Sequence, residues 1–277
     1  MNSRVMTYLA LYVSFLITLG GCITYSSNEV YRLELPSIHP NEHIINYTGY
    51  DDISYGQNSE RIIDLEKIAF SVSYDEIHKQ PRWVAYSLSK EELYGYARRK
   101  GKQFHQDISA RCKQADGSDY RGSGWTHGHL APAADFSWSD KALDNTFYYT
   151  NISPQSETLN TGSWQKLENR VRDWAEMFGE VYIITGPIIG SAGNGTIGMN
   201  QVTIPDAFYK AVLTRDGESY QAVAFILENS SASQSYTKCC ISVNELEAII
   251  GIDLFPSLND NIEETVESSF DKRFWGM

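Results

Sequence analysis

Three polar motifs stand in fixed order between residues 120 and 168: WTHGHLAPAADF at 125–136, YYTNISPQ at 148–155 and LNTGSWQKLENR at 159–170. Their order restricts the fold more than any other feature of the chain. His127 and His129 flank Gly128, which frees the backbone to present a ring sharply, and Pro132 just beyond stops a helix from continuing. Further on, Trp164, Leu167, Val171, Trp174 and Phe178 recur at three-to-four spacing, which predicts a helix with one buried stripe. Asn160, Glu168 and Arg172 lie to the side of that stripe. Eight residues, just over two turns, separate Asn160 from Glu168, so both are expected to face one cleft. Glu168 and Arg172, four apart, are expected to pair on one helical face. A hairpin and a helix start are the elements that bring Asn151 and Asn160 back to the histidines.

Imidazole is the side chain most readily used as a base near neutral pH. An asparagine oxygen is a neutral ligand suited to a hard cation such as Mg²⁺, which keeps several of its waters. Arginine and lysine supply charge-assisted hydrogen bonds to phosphate. They cluster in ARRKGKQFHQD at 97–107, the most basic run of a chain whose formal net charge is −12. That acidity argues against indiscriminate adhesion of the whole surface to nucleic acid, yet leaves room for a local phosphate-facing patch that includes Arg99 and Lys102. A zinc site from His127, His129 and His105 is the competing chemistry. It is given less weight, on the expectation that the two rings flanking Gly128 turn to opposite sides of a strand.

The run YRGSGWTHGHLAPAADFSWSDKALDNTFYYTNISPQSETLNTGSWQKLE resembles the DNA/RNA non-specific endonuclease family, which includes mitochondrial endonuclease G and secreted bacterial nucleases. The family pattern is D-R-G-H, then a segment like NxxPQ, then an N-x7-E helix. The resemblance implies an α+β, ββα-metal nuclease fold with a central, mainly antiparallel sheet flanked by helices. It implies metal-dependent hydrolysis of phosphodiester bonds in DNA and RNA with little sequence preference, and contacts mainly to phosphate. By resemblance, His129 is the general base, Asn151 supports the site, and Asn160 is the single protein ligand of Mg²⁺, with Mn²⁺ as a substitute. Glu168 then holds a metal-bound water and Arg172 stabilises the phosphate or leaving group. Thr126 and His127 replace the family's Asp-Arg pair, so His127 stands where a phosphate-binding arginine is expected and offers a shorter, partly charged substitute. A retired nuclease scaffold that binds a partner or polyanion is the alternative that this replacement suggests.

At the N-terminus, Arg4 precedes an apolar stretch too short for a stable membrane span, which ends in LGGC at 19–22. The ending resembles a bacterial lipobox and implies cleavage before Cys22, lipidation of Cys22, export, and anchoring at the bacterial outer membrane or cell surface. The chain then divides into a signal peptide at 1–21, a polar tether at 22–61 and the endonuclease domain at 62–277. In an oxidising compartment a bridge from Cys112 to Cys239 or Cys240 is expected. Within the domain, alternation predicts half-buried strands at 68–75 and 82–89. Further strands are predicted at 180–190, 201–215 and 221–229, and a short helix from a Ser242/Glu245 capping box to Gly251.

Overall fold

The computed structural model describes residues 62–66, 69–190 and 194–277. The signal peptide expected at 1–21, the lipidation expected at Cys22 and the tether expected at 22–61 lie outside the described residues. Seven antiparallel strands form one sheet in the order β1-β2-β3-β6-β9-β10-β11. They are β1 (Ile62–Glu66), β2 (Ser71–Asp75), β3 (Gln80–Ser89), β6 (Glu180–Ile188), β9 (Ala207–Asp216), β10 (Ser219–Glu228) and β11 (Cys240–Ile241).

The alternation that predicts half-buried strands is real, but both faces of the sheet are covered. Val84, Tyr86 and Leu88 of β3 join Val181, Ile183, Phe208, Val212 and Phe225 on one face, while Trp83, Ala85, Ile184, Ala211 and Ala224 fill the other. The first face receives Leu167, Val171 and Trp174 of α3 (Gln165–Phe178). The second receives α4 (Val243–Ile250) and Val266 of α5 (Asp260–Glu267). Small polar residues such as Ser71, Ser73 and Thr185 sit buried within the strands, so hydroxyls that read as solvent-facing are enclosed.

The α4 helix begins and ends as its sequence predicts. Ser242 and Glu245 form a reciprocal capping box, and Gly251 closes the helix at φ 64°, a left-handed conformation that favours glycine. The acidic tail around α5 packs on the sheet face opposite α3. The chain then returns, and Trp275 is buried against Trp174, whose Nε1 donates to the Trp275 carbonyl at 3.0 Å.

The expected disulfide does not form: Cys239 and Cys240 keep free thiols, and Cys112 is bonded to neither. Sheet order gives the reason. The Lys113 backbone N–H donates to Glu76, just past β2, at 3.1 Å. Cys240 pairs with Phe225 at the far end of the sheet. At about 4.8 Å per strand spacing the two lie roughly 20 Å apart, well beyond the ~7 Å Cα separation that a disulfide spans.

Candidate active site

On the α3 face of the sheet sits a separate two-stranded hairpin of β4 (Thr126–His129) and β5 (Ile152–Gln155), paired Thr126↔Gln155 to His129↔Ile152. Ser153 fastens it to β3 through a hydroxyl bond to Gln80. Gly128 is needed here for close approach rather than for an unusual backbone angle, because a Cβ would meet the Gln155 side chain at 2.3 Å. After β5 comes one π-helical turn (Leu159–Trp164) that carries Asn160 and runs directly into α3. Strand, strand and helix thus follow as the three motifs imply, although the first helical turn is wider than an α-helical count assumes.

His129 is buried at 7% exposure, and its ring is clamped by aromatic contacts. Phe147 meets it edge-on at 5.2 Å and Phe104 lies tilted at 5.3 Å. Its Nε2 is sealed without a hydrogen-bond partner among the described residues, so packing rather than an acceptor fixes the ring, and Nδ1 is the nitrogen not enclosed in this way. Burial, reinforced by the Arg99 and His127 charges, lowers its pKa to about 3. The ring is therefore neutral, as a proton acceptor must be.

His127 lies on the same side of the strand as His129, since Phe104 touches both rings; residues two apart on a strand share a face. The expectation that they part is wrong. His127 is stacked between Phe104 at 4.3 Å and Tyr120 at 4.0 Å, its Nε2 is sealed, and burial lowers its pKa to about 4. It contributes shape at this position, and not the partial charge expected of an arginine substitute. His105 turns to Asp144 at 3.6 Å, and no three His, Cys, Asp or Glu side chains among the described residues converge on a common point.

Asn160 is anchored by its amide nitrogen. Its Nδ2 donates to Thr126 Oγ1 at 2.9 Å, and that hydroxyl in turn donates to the Gln155 carbonyl at 2.9 Å. With the nitrogen held against β4, the Asn160 oxygen accepts no hydrogen bond among the described residues and remains available as a ligand. Asn151, by contrast, is fully buried and wholly engaged. It donates to the Ala131 and Thr146 carbonyls and accepts from the Ala131 N–H, each at 2.9 Å. It fixes the turn that follows His129 and does not reach the cleft.

Glu168 is half-buried and makes no hydrogen bond among the described residues. Burial raises its pKa, while Lys210, Arg172 and Arg99 act in the opposite direction. The expected direct pairing of Glu168 with Arg172 is replaced by another: Arg172 Nη1 bonds Asp135 Oδ1 at 2.6 Å, and Tyr86 donates to the second Asp135 oxygen at 2.9 Å. Arg99 stands over the Phe147 ring at 5.8 Å, and its charge bears on both His129 and Glu168. It belongs to the cleft. Lys102 does not to the same degree, because Asp144 holds it at 3.0 Å.

Sequence reading missed Asp135, Lys210, Phe104 and Tyr120, and the anchoring role of Thr126. An acid within the apolar run APAADF and a lysine within the strand pattern AFYKAV were visible signals. Their partners lie far off in the chain.

A hairpin bearing a buried histidine, followed directly by a helix whose first turn offers an asparagine oxygen, defines the ββα-metal nuclease class. The model of the DNA/RNA non-specific endonuclease family matches residues 51–261, and the chain belongs to that family. It is 37% identical to the mitochondrial nuclease EXOG of Danio rerio over 202 residues, covering 68% of this chain and 59% of that protein. Similarity to human mitochondrial endonuclease G is 30% over 203 residues, covering 69% and 68% respectively. The chain thus spans less than two thirds of the length of the EXOG relatives. Among solved structures, that of an EndoG/EndoGI complex matches with a TM-score of 0.66 at 26% identity, covering 72% of this chain and 88% of the matched one.

Proposed function

We propose that this protein is a divalent-metal-dependent endonuclease that hydrolyses phosphodiester bonds in DNA and RNA with little sequence preference. One observation carries the reading. A neutral, rigidly packed His129 and an Asn160 oxygen without a hydrogen-bond partner among the described residues belong to one ββα unit, with the charges of Lys210 and Arg99 acting on Glu168 of its helix.

The residues fit a hard cation. Asn160 offers one neutral oxygen, held outward by Thr126, and Glu168 offers a carboxylate free of hydrogen bonds that can accept from a coordinated water. Mg²⁺, or Mn²⁺ in its place, held by Asn160 would supply the positive charge that offsets negative charge developing on the phosphate. Nδ1 of His129 takes the proton of the attacking water, its ring kept in place by Phe104 and Phe147. Arg99 draws in the phosphate by charge, and Arg172, backed by Asp135, lends its remaining donors to the phosphate or leaving oxygen. Contacts of this type read the backbone and not the bases, which accounts for low sequence preference.

Export and anchoring through a lipidated Cys22 complete the reading, and would present the domain at the bacterial outer membrane or cell surface. Loss of palmitate labelling in Cys22→Ala is the expected check. The neutral stacked His127 favours a second reading, a weakened enzyme that binds a polyanion or protein partner on a nuclease scaffold. Digestion of plasmid DNA and RNA with Mg²⁺ or EDTA separates the two. The nuclease reading expects EDTA-sensitive cleavage lost in His129→Ala and Asn160→Ala. Full cleavage by His129→Ala would overturn the assigned base, and an inert wild type with every divalent metal would support the binding scaffold.

A further inference from the structure

Lys210 lies in the middle of β9 on the face that meets α3. Phe208 and Val212 flank it along the strand, and Thr185 of β6 and Phe225 of β10 stand across from it. It is 0% exposed, and its Nζ makes no hydrogen bond among the described residues. Burial lowers the pKa of an ammonium enclosed in this way, here to about 8, and opposite charge from Glu168 and Asp135 acts against that loss. Nζ lies 4.8 Å from the Trp164 ring centroid, a cation–π contact that is attractive but leaves the charge uncompensated.

Glu168 follows Trp164 by four residues on one helical run, so it is the neighbour on the helix face of the ring that Lys210 touches. Two acids and two bases meet there. Arg172 is bonded to Asp135 at 2.6 Å, and Tyr86 takes the second Asp135 oxygen. Lys210 is the foremost charge acting in favour of ionised Glu168, ahead of Arg172 and Arg99. The type of cation matters. A guanidinium beside Glu168 would clamp both carboxylate oxygens in its fork, whereas an ammonium set apart acts as a point charge and leaves them unbound.

We propose that Lys210 is a positioning residue of the cleavage site, its buried ammonium being the fixed counter-charge that holds the Glu168 carboxylate on the cleft side of α3. The consequence for turnover rests on the nuclease reading, while the charge pairing does not. Two measurements keep them apart.

The first compares urea midpoints of the wild type, Lys210→Met, Glu168→Gln and the double variant. The pairing expects Lys210→Met to lower the midpoint and Glu168→Gln to restore part of the loss. Additive losses would mean that Lys210 only packs, and would overturn the proposal. Should Lys210→Met yield no soluble protein, the double variant decides: recovery of a folded chain supports the pairing, and equal insolubility rejects it.

The second measures plasmid cleavage. For Lys210→Met, kcat is expected to fall ~10–100-fold, the usual effect of losing a residue that orients a metal-site ligand. KM should stay nearly constant. An unchanged kcat in Lys210→Met would overturn the positioning role. A wild type without nuclease activity would overturn the nuclease reading instead, with the urea cycle still deciding whether the charges pair.

Discussion

His129 and His127 differ by their neighbours more than by their chemistry. Both rings are neutral and both have a sealed Nε2, but His127 is sandwiched by Phe104 and Tyr120 while His129 has Phe147 at its edge and the Asn151-braced turn behind it. An arginine at 127 would place a planar cation in the same aromatic slot, where stacking and cation–π attraction favour it. His127→Arg should therefore raise cleavage roughly tenfold at neutral pH, as a charged hydrogen bond to phosphate allows. A lower KM and a steeper loss of rate with salt are the checks. Thr126 acts through Asn160. Removing its hydroxyl in Thr126→Val should weaken Mg²⁺ affinity ~10–100-fold with little change in thermal stability, measured by titrating activity with the metal. The histidines and amides were legible because they are contiguous motifs. The Asp135 partner of Arg172, 37 residues away, and the Lys210 charge below Glu168 were not, since only the folded sheet brings them there.

Among the elements, the ββ hairpin and its helix were legible from residue order, and α4 from its capping box. What the sequence pattern missed has a physical basis in each case. The π-helical turn at Leu159–Trp164 departs from α-helical counting without a local residue that demands it. The sheet faces looked half-polar because serine and threonine in strands read as surface residues, whereas here they are enclosed by helices on both sides. The connection from β4 to the 3-10 turn Ala133–Phe136 depends on Asn151, which replaces three bonds that a regular ladder would supply. Asn151→Ala orphans two carbonyls and one N–H in a buried setting, at ~1 kcal/mol or more for each. A loss of about 3 kcal/mol in urea unfolding is expected. Any remaining activity should follow the folded fraction. Ser242→Ala, which removes one cap from α4 on the opposite face, should cost about 1 kcal/mol and leave cleavage untouched.

Across the molecule as a whole, the acidic α5 segment packs on the sheet face opposite α3, and the paired histidines lie on the α3 side. The two regions titrate in opposite directions. His127 and His129 have folded pKa values of about 4 and about 3, below the ~6.5 of an unfolded histidine. Between ~6.5 and those values the unfolded chain binds protons that the folded one refuses, so their contribution is fully present above ~6.5 and is lost as pH falls through that window. Glu267 is the reverse case. It is 3% exposed, its Oε1 has no hydrogen bond among the described residues, and burial together with Glu247, Glu263 and Asp253 raises it to about 9. Here the folded state holds the extra proton, so stability from this group is present near pH ~4 and is lost as pH rises toward about 9. The windows overlap from ~4 to ~6.5, where two histidines outweigh one glutamate, so thermal stability should peak near pH ~6.5 and fall on both sides. Glu267→Gln, which fixes the neutral form, should match the wild type in mild acid and exceed it increasingly as the solution becomes alkaline. Melting temperatures of both proteins across that range are the test, and parallel curves would show that Glu267 ionises in the fold much as it does in water.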